Sequence, residues 1–296
     1  MANTGDKKSS VLITGCSPGG IGNAFAREFH QQGLRVFATA RDTRALQSLA
    51  DLGIEILSLV VVDEKSVQSC YTEVREMLGE KGMDYVVNNG DYAVPTMEID
   101  LAEARATFET NLFAVINMCQ TFLPLLKKAQ GTIVQIGSTV WIIFYVSGSV
   151  YSASKAALHS FSDTLRVKLA PFGNVNMTTI VTGGVQSCIA RVKHTLAPNS
   201  PYAPIDDECN HRVMHSQDGA MPHIAYARSV VTQILYGTAP WRWLWPWAQD
   251  CKSWIWEGNK SWLVWFLSRG WAWTGIFHYV MTRMLKLYKL RKVSEK

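Results

Sequence analysis

Residues 131–170 read GTIVQIGSTVWIIFYVSGSVYSASKAALHSFSDTLRVKLA, and this stretch decides the fold. Its first part, residues 132–136, is apolar and rich in β-branched side chains, which predicts a buried strand. From Tyr151 onward Ala, Leu, Lys and Arg predominate, and this composition predicts a helix. Ser138 follows the predicted strand directly. The stretch therefore predicts a strand, a polar loop and a long helix, in that order.

Tyr151 and Lys155 lie about one helical turn apart in the predicted helix. Residues four apart lie on one face of a helix, so the phenol and the ammonium can contact one ligand. A free phenol has a pKa of about 10, and a nearby positive charge lowers that pKa until the tyrosine can exchange protons. Alternatively, the pair is an exposed lysine and a half-buried tyrosine of an ordinary helix. A cofactor site elsewhere in the chain would favour the first interpretation.

A glycine-rich turn near the start of the sequence supplies such a site. Residues 10–14 predict a first strand, residues 21–32 predict a helix, and positions 14–22 between them read TGCSPGGIG. A strand, a glycine-rich turn and a helix in succession are the context of a phosphate-binding loop. Glycines let the backbone approach a pyrophosphate closely, and the helix N-terminus presents free N–H groups. We assign these roles to Gly15, Gly20 and Gly22, with Gly19 as an additional glycine.

With these motifs in this order, the chain resembles the short-chain dehydrogenase/reductase family over residues 11–190. The resemblance rests on the glycine-rich turn and on Asn88, Asn89, Asn111, Ser138, Tyr151 and Lys155. Ser147 and Ser149 also lie near Tyr151, but the family's usual spacing of thirteen residues selects Ser138. The resemblance implies an α/β fold of Rossmann type, with a doubly wound parallel sheet and helices on both faces.

The resemblance also implies a role for each member of a catalytic set. Ser138 would hydrogen-bond the substrate carbonyl, and Tyr151 would exchange the proton. Lys155 would bind the nicotinamide ribose and lower the pKa of Tyr151. Asn111 would hold a water molecule that connects to the lysine.

The same resemblance gives a set of cofactor-binding residues. They are Gly15, Ser17, Gly20, Ile21, Gly22, Arg41, Asn88, Asn111, Tyr151, Lys155, Val185 and Ser187. An acid at the end of the second strand would bind the ribose hydroxyl of NAD, whereas an arginine accommodates the 2′-phosphate of NADP. The second predicted strand, residues 35–39, is followed by Ala40, Arg41 and Asp42, which favours NADP(H). Alternatively, Arg41 is a solvated surface charge and Asp42 binds the ribose.

Two features depart from the family pattern. Val60 stands where the family commonly has an aspartate that contacts the adenine. Residues 88–91 read Asn-Asn-Gly-Asp in place of Asn-Asn-Ala-Gly, and the following loop is shorter than in the family. The wall of the nicotinamide pocket is therefore unusual. These departures favour the alternative that the protein binds a cofactor without redox activity, or catalyses a non-redox isomerisation or cyclisation.

The remaining elements complete an alternating α/β pattern. Strands are predicted at residues 54–62, 83–87 and 176–181, and helices at residues 101–128 and 221–236. Residues 189–222 are polar and irregular with several prolines, which predicts a lid over the substrate or a plain surface linker. We therefore expect a cofactor-binding and catalytic domain over residues 1–240.

Residues 241–296 differ in composition from the rest and predict a C-terminal helical extension that associates with a membrane. Ten of the eleven Trp lie between Trp241 and Trp273, and six Lys/Arg against one Glu fall in the last fourteen residues. Tryptophan favours the membrane–water interface and basic residues favour anionic headgroups. We expect residues 261–280 to form an interfacial helix or hairpin within one leaflet. Alternatively, the segment is a flap over the substrate pocket or a dimer face.

The composition narrows the functional class further. The six Cys are scattered with no pattern typical of a metal site, which predicts no metal and suits a reducing compartment. The basic tail accounts for the net charge of +5, so no nucleic-acid partner is expected. No signal peptide is evident in residues 1–10.

Within the family, the chain resembles the fungal subgroup related to acyl-dihydroxyacetone-phosphate reductase. That resemblance implies reduction by NADPH of a keto group on a small hydrophobic substrate of lipid, polyketide or terpenoid type. It also implies a place on the cytoplasmic side of the endoplasmic reticulum or lipid droplets, or in the cytosol. Members of the family often pair through two long helices, so the resemblance also implies a homodimer or homotetramer.

Overall fold

A computed structural model describes residues 8–94, 97–143, 146–172, 175–187, 199–205, 207, 219–237 and 253–268. Its strands are β1 (Ser10–Ile13), β2 (Arg35–Ala40), β3 (Glu55–Ser58), β4 (Tyr85–Asn88), β5 (Thr132–Ser138), β6 (Asn176–Thr182) and β7 (Trp254–Glu257). All seven pair in parallel in one sheet of order β3-β2-β1-β4-β5-β6-β7. The strand order reverses between β1 and β4, as in a doubly wound sheet. The predicted Rossmann-type fold class is confirmed.

Helices cover both faces of this sheet. They are α1 (Ile21–Gln31), α2 (Gln47–Ala50), α3 (Glu64–Leu78), α4 (Leu101–Phe108), α5 (Ala114–Ala129), α6 (Ser149–Leu169), α7 (His223–Tyr236) and α8 (Ser261–Phe266). One hydrophobic cluster lies between the sheet and α1 and α7, and the other between the sheet and α3 and α5. Each cluster buries one face of the sheet.

The first strand shows why the sheet has two cores. Val11 and Ile13 belong to one cluster and Leu12 to the other, and all three are fully buried. Successive side chains of a strand point to opposite faces of the sheet. Because helices cover both faces, the strand is apolar at each of these positions rather than alternating with polar residues.

The third strand is shorter than predicted. The sequence predicts a strand over residues 54–62, whereas β3 ends at Ser58, which pairs with Ala40 at the end of β2. Among the described strands β3 pairs with β2 alone, so its pairing stops where β2 stops. Residues 59–62 continue past the sheet as an apolar segment beside the cavity described below.

The long predicted helix over residues 101–128 is present, with an interruption of its period. A π-helical segment, Glu109–Phe113, joins α4 to α5. Such segments insert an extra residue into a turn and are frequent at functional sites. Asn111 lies inside this segment and is 1% exposed.

Strand β7 is the main element that sequence reasoning missed. Trp254–Glu257 pairs in parallel with β6, and Ile255 is buried in the cluster beneath α1 and α7. This strand falls within the stretch assigned to a C-terminal extension, so at least these four residues belong to the sheet. Their pairing with β6 places these residues in the sheet, whereas their tryptophan content predicted a membrane-associating extension.

Other predicted features lie mainly outside the described residues. Most of the predicted lid over residues 189–222 is among them, as are residues 241–252 and 269–296. Within the part of the chain that the structure describes, no helix is long and apolar enough to cross a membrane. The described residues also contain no cluster of three His, Cys, Asp or Glu suited to a metal ion.

Candidate active site

A cavity of about 610 Å³ opens at the carboxyl ends of the strands. In doubly wound sheets ligands bind at this edge, where the strand order reverses. The predicted site residues that line the cavity are Gly15, Ser17, Gly20, Ile21, Arg41, Ser138, Tyr151, Val185 and Ser187. The structure therefore brings the glycine-rich turn and the predicted proton donor to one space.

The glycine-rich turn forms a cradle that larger residues would fill. Gly15 has a φ of +71°, and a Cβ added to Gly22 would lie 2.4 Å from the carbonyl oxygen of Gly15. Helix α1 begins just after Gly20, which provides no side-chain cap, and its first turn contains no acidic residue. Unsatisfied N–H groups and the positive end of the helix dipole favour a phosphate at such a position. Gly22 contributes by close packing and does not itself line the cavity.

Arg41 and Asp42 have different environments at the end of β2. The Asp42 carboxylate pairs with Arg44 at 2.9 Å and accepts a hydrogen bond from the Arg44 backbone N–H. The hydrogen bonds from Arg44 lower the pKa of Asp42. Within the described residues no carboxylate pairs with Arg41, which lines the cavity. This arrangement suits a phosphate near Arg41 better than a ribose hydroxyl bound by Asp42.

Val60 belongs to an apolar wall of the same cavity. Leu59, Val61 and Val62 line the cavity beside it. No carboxylate takes the place of the aspartate that the family commonly has there, so the side chains of this wall offer a base apolar contact only. The backbone N–H of Val60 donates to the Ser66 hydroxyl at 2.9 Å.

A carboxylate lies between the phenol and the ammonium of the predicted pair. Asp91 Oδ2 accepts a hydrogen bond from the Tyr151 hydroxyl at 2.9 Å and pairs with Lys155 Nζ at 3.1 Å. Lys155 is 2% exposed and also donates to the carbonyl oxygen of Ile136 at 3.0 Å. Lys155 is not among the residues that line the cavity, although both of its partners, Asp91 and Ile136, are.

The environment of Tyr151 favours its neutral form. Burial and the charge and hydrogen bond of Asp91 raise its pKa well above 10, while a hydrogen bond with the Ser138 side chain acts in the opposite direction. Sequence reasoning expected Lys155 to lower this pKa. The structure shows the reverse direction, because burial disfavours the phenolate and the Asp91 carboxylate opposes the lysine charge.

Asn111 fixes the loop that carries Asp91. Its Nδ2 donates to the Tyr92 carbonyl oxygen at 2.9 Å and to Ser154 Oγ at 3.0 Å, and its Oδ1 accepts from the Tyr92 N–H at 2.8 Å. Three hydrogen bonds satisfy most of a buried amide. The observed contacts are to the loop and to α6, and none is to Lys155.

A family model described as short chain dehydrogenase matches residues 9–195. The chain belongs to the short-chain dehydrogenase family. The short-chain dehydrogenase ptmH of Penicillium ochrochloron is 39% identical over 77% of this chain and 85% of that protein. The NADPH-dependent 1-acyldihydroxyacetone phosphate reductase of Schizosaccharomyces pombe is 43% identical over 66% of this chain and 68% of that protein. The short-chain dehydrogenase virD of Hypocrea virens is 32% identical over 97% of this chain and 96% of that protein.

Solved structures of short-chain dehydrogenases share this fold. The enzyme from Streptomyces avermitilis has a TM-score of 0.71 at 23% identity and covers 98% of both chains. The enzyme from Burkholderia cenocepacia, solved in complex with NADP, has a TM-score of 0.66 at 19% identity, over 94% of this chain and 97% of that one. At these identities the likeness concerns the fold alone.

In this short-chain dehydrogenase Asn88, which was expected to bind the cofactor, does not line the cavity, whereas its neighbour Asn89 does. Asn88 is buried, its Nδ2 lies 3.6 Å from Cys119 Sγ, and it does not line the cavity. Asn89 lines the cavity and its Nδ2 donates to the carbonyl oxygens of Thr14 and Gly15 at 2.9 and 3.2 Å. The second asparagine thus holds the loop after β4 against the glycine-rich turn.

Sequence reasoning also missed a buried histidine behind Ser138. His159 Nε2 accepts a hydrogen bond from the Ser138 backbone N–H at 3.3 Å. Its ring packs against the rings of Trp141 and Trp254, whose centroids lie 5.0 and 5.4 Å away. Burial and the charge of Lys155 lower the pKa of His159 to about 3. The spacing of eight residues from Tyr151 on α6 is only a weak sequence signal that His159 lies near the site. Its contact with Trp254 depends on β7, which was not predicted.

Proposed function

We propose that this short-chain dehydrogenase is an NADP(H)-dependent enzyme that interconverts a ketone and a secondary alcohol on a small hydrophobic substrate. One observation carries the proposal: Ser138 and Tyr151 line the same cavity as the glycine-rich turn and Arg41. The reductase of Schizosaccharomyces pombe, NADPH-dependent by name, and the matching fungal short-chain dehydrogenases support it.

Different residues of the cavity fit different parts of such a cofactor. The backbone around Gly15 and Gly20 would hold the pyrophosphate, and Arg41 would hold the 2′-phosphate. Val185 and Ser187, which line the same cavity, would contact the nicotinamide carboxamide. The bound cofactor supplies or accepts the hydride.

The chain's own groups move the proton. During reduction the Ser138 hydroxyl donates a hydrogen bond to the substrate carbonyl oxygen and orients it. As the carbonyl carbon gains hydride, the C=O π bond opens and the Tyr151 O–H bond breaks, so that its proton goes to the oxygen and gives the alcohol. The Lys155 charge stabilises the resulting phenolate, which regains a proton from solvent. Oxidation of an alcohol uses the same groups in reverse.

A hydrophobic substrate is supported by the walls near the proton donor. Val140, Ala93 and the ring of Tyr92 line the cavity beside Ser138 and Tyr151. Small-molecule sites are mostly apolar with a few polar groups that fix orientation. A lipid, polyketide or terpenoid ketone fits that pattern.

The test of this function uses cofactor binding and turnover separately. NADPH titration followed by fluorescence should show binding that is tighter than for NADH, and a long-chain aliphatic ketone should be reduced with NADPH. Tyr151→Phe should leave NADPH binding nearly unchanged and lower kcat by at least about 100-fold, since general acid catalysis contributes about 10²–10⁴. An active Tyr151→Phe enzyme would contradict the proton donor. Binding without turnover of any ketone or alcohol would favour the non-redox alternative, to which the altered Asn-Asn-Gly-Asp segment points.

We also propose that the Trp-rich C-terminal segment places the enzyme on the cytoplasmic surface of an intracellular membrane. Helix α8 lies within this segment. Its side chains Trp262, Trp265 and Phe266 are 68%, 41% and 45% exposed. Exposed aromatic side chains followed in sequence by a basic tail favour an anionic interface.

A further inference from the structure

Both carboxylate oxygens of Asp91 have polar partners in the site. Its Oδ2 accepts from the Tyr151 hydroxyl at 2.9 Å and pairs with Lys155 Nζ at 3.1 Å. Its Oδ1 accepts from the Tyr92 backbone N–H at 3.0 Å. The side chain is 20% exposed and lines the cavity. It therefore contacts both members of the catalytic pair and remains open to the substrate space.

The loop around Asp91 is fixed independently of that contact. Asn111 bonds both the N–H and the carbonyl oxygen of Tyr92, at 2.8 and 2.9 Å. The Tyr92 hydroxyl donates to Glu103 Oε2 on α4 at 2.6 Å. Because the next residue is held on both sides, the backbone of Asp91 has little freedom to withdraw the carboxylate from Tyr151.

The Asp91 carboxylate changes the electrostatic environment of the Tyr151 hydroxyl. Lys155 is 2% exposed, so in the absence of a nearby anion its charge would act strongly on Tyr151. Asp91 balances that charge and also accepts the hydroxyl hydrogen, which is an interaction that only the protonated tyrosine can make. Removal of the proton would set a phenolate directly against a carboxylate.

We propose that Asp91 is a positioning residue that keeps the Tyr151 hydroxyl protonated, so that ketone reduction extends to higher pH and alcohol oxidation begins only at higher pH. The inference rests on the proposed function, because reduction needs the phenol as proton donor whereas oxidation needs the phenolate as proton acceptor. Asp91 takes up no proton and only accepts a hydrogen bond.

Other groups around Tyr151 act on it and stay in place when Asp91 is changed. The Tyr226 hydroxyl on α7 lies 2.7 Å from Thr182 Oγ1, and Tyr226 adds a small unfavourable charge effect on the phenolate. The Ser138 side chain favours the phenolate by its hydrogen bond. His159 is neutral above acidic pH, since its pKa is lowered to about 3. Among these neighbours Asp91 is the largest contribution after burial to the raised pKa of Tyr151.

The variant Asp91→Asn tests the inference, because the amide keeps the shape of the side chain and removes its charge. With Lys155 unopposed, we expect the basic limb of the kcat/KM profile for ketone reduction to move down by about one pH unit or more. The acidic limb of the kcat/KM profile for alcohol oxidation should move down by the same interval. Unchanged profiles in both directions would overturn the inference.

Glu103→Gln is the matched control for loss of charge. Glu103 carries the same charge and contacts the same loop through the Tyr92 hydroxyl, and no contact joins it to Tyr151. Its pH profiles should follow the wild type. A shift equal to that of Asp91→Asn would mean that the loop or the overall charge causes the effect, and would overturn the role of Asp91.

A spectroscopic readout separates this inference from the proposed function. Ionisation of tyrosine changes its ultraviolet absorbance, and subtraction of the Tyr151→Phe titration in each background isolates Tyr151. Its midpoint should be lower in Asp91→Asn than in the wild type by the same interval as the kinetic limb. If the wild type reduces no ketone, the proposed function fails, and this titration alone decides whether Asp91 holds the proton on Tyr151. Equal midpoints would overturn the inference.

Discussion

Single residues of the site differ in how far the sequence specifies them. The resemblance to the family predicts that Ser138 and Tyr151 meet, because their interval of thirteen residues is the family's usual one, and both residues line the same cavity. The position of Asp91 could not be predicted in this way. It depends on the conformation of a loop, which the hydrogen bonds of Asn111 determine and which no residue spacing encodes.

His159 supplies a pH dependence of stability with a definite sign. Its pKa is lowered to about 3 in the folded protein, against 6.5 as the ordinary value. Between these pH values the unfolded chain binds a proton that the native state does not, so the free energy of unfolding falls as the pH falls. At pH 5 the loss from this residue is about 2 kcal/mol.

The variant His159→Gln makes this contribution measurable. Glutamine does not titrate and keeps an acceptor for the Ser138 N–H. Urea unfolding at pH 7 and pH 5 should show that the variant loses about 2 kcal/mol less than the wild type over that interval. Parallel losses in the two proteins would contradict a buried neutral histidine at this position.

Secondary structure elements were predictable where the pattern alone decides them. Strands β1, β2, β4, β5 and β6 lie within two residues of their predicted bounds, since each is a short apolar run in an alternating α/β pattern. The bounds of β3 and the existence of β7 depend on their neighbours in the sheet. β3 ends with β2, and Trp254–Glu257 is a strand because β6 offers it a free edge.

Strand β7 also supports the site, through Trp254. The ring stacks on His159 at 5.4 Å, and the Arg166 guanidinium lies 5.4 Å from the centroid of the Trp254 ring. Trp254→Ala should lower the free energy of unfolding by about 2–3 kcal/mol, because it removes a large aromatic surface and opens a cavity beside His159. It should also lower kcat, since the Ser138 backbone is bonded to that histidine.

Urea unfolding compared with Trp262→Ala checks this prediction. Trp262 on α8 is 68% exposed, so its removal should change the free energy of unfolding by less than about 0.5 kcal/mol. Equal effects of the two variants would show that the stack at His159 contributes nothing beyond surface coverage.

At the scale of the whole molecule, the catalytic domain and the C-terminal segment are joined more closely than composition indicates. The sequence predicts a boundary at residue 240, but Ile255 is 2% exposed within the core beneath α1 and α7. A cut after residue 240 would therefore remove a strand of the sheet as well as the tryptophans. Such a truncation cannot separate membrane association from folding, whereas a cut after residue 268 retains β7 and α8.

We expect the chain of residues 1–268 to fold, with the unfolding cooperativity of the full chain, and to sediment less with vesicles that contain anionic lipid. The removed residues 269–296 include Trp271, Trp273 and the basic tail, and each basic residue near such a surface contributes about 1 kcal/mol. The full chain with the six Lys/Arg of residues 283–296 replaced by Gln is the matched control, because it keeps the aromatic residues. Binding of this control to vesicles should become independent of anionic lipid. If the control still binds and the truncated chain does not, the attachment is due to the tryptophans. If residues 1–268 bind vesicles as tightly as the full chain, residues 269–296 do not anchor the enzyme, and the exposed aromatic face of α8 would have to account for any membrane contact.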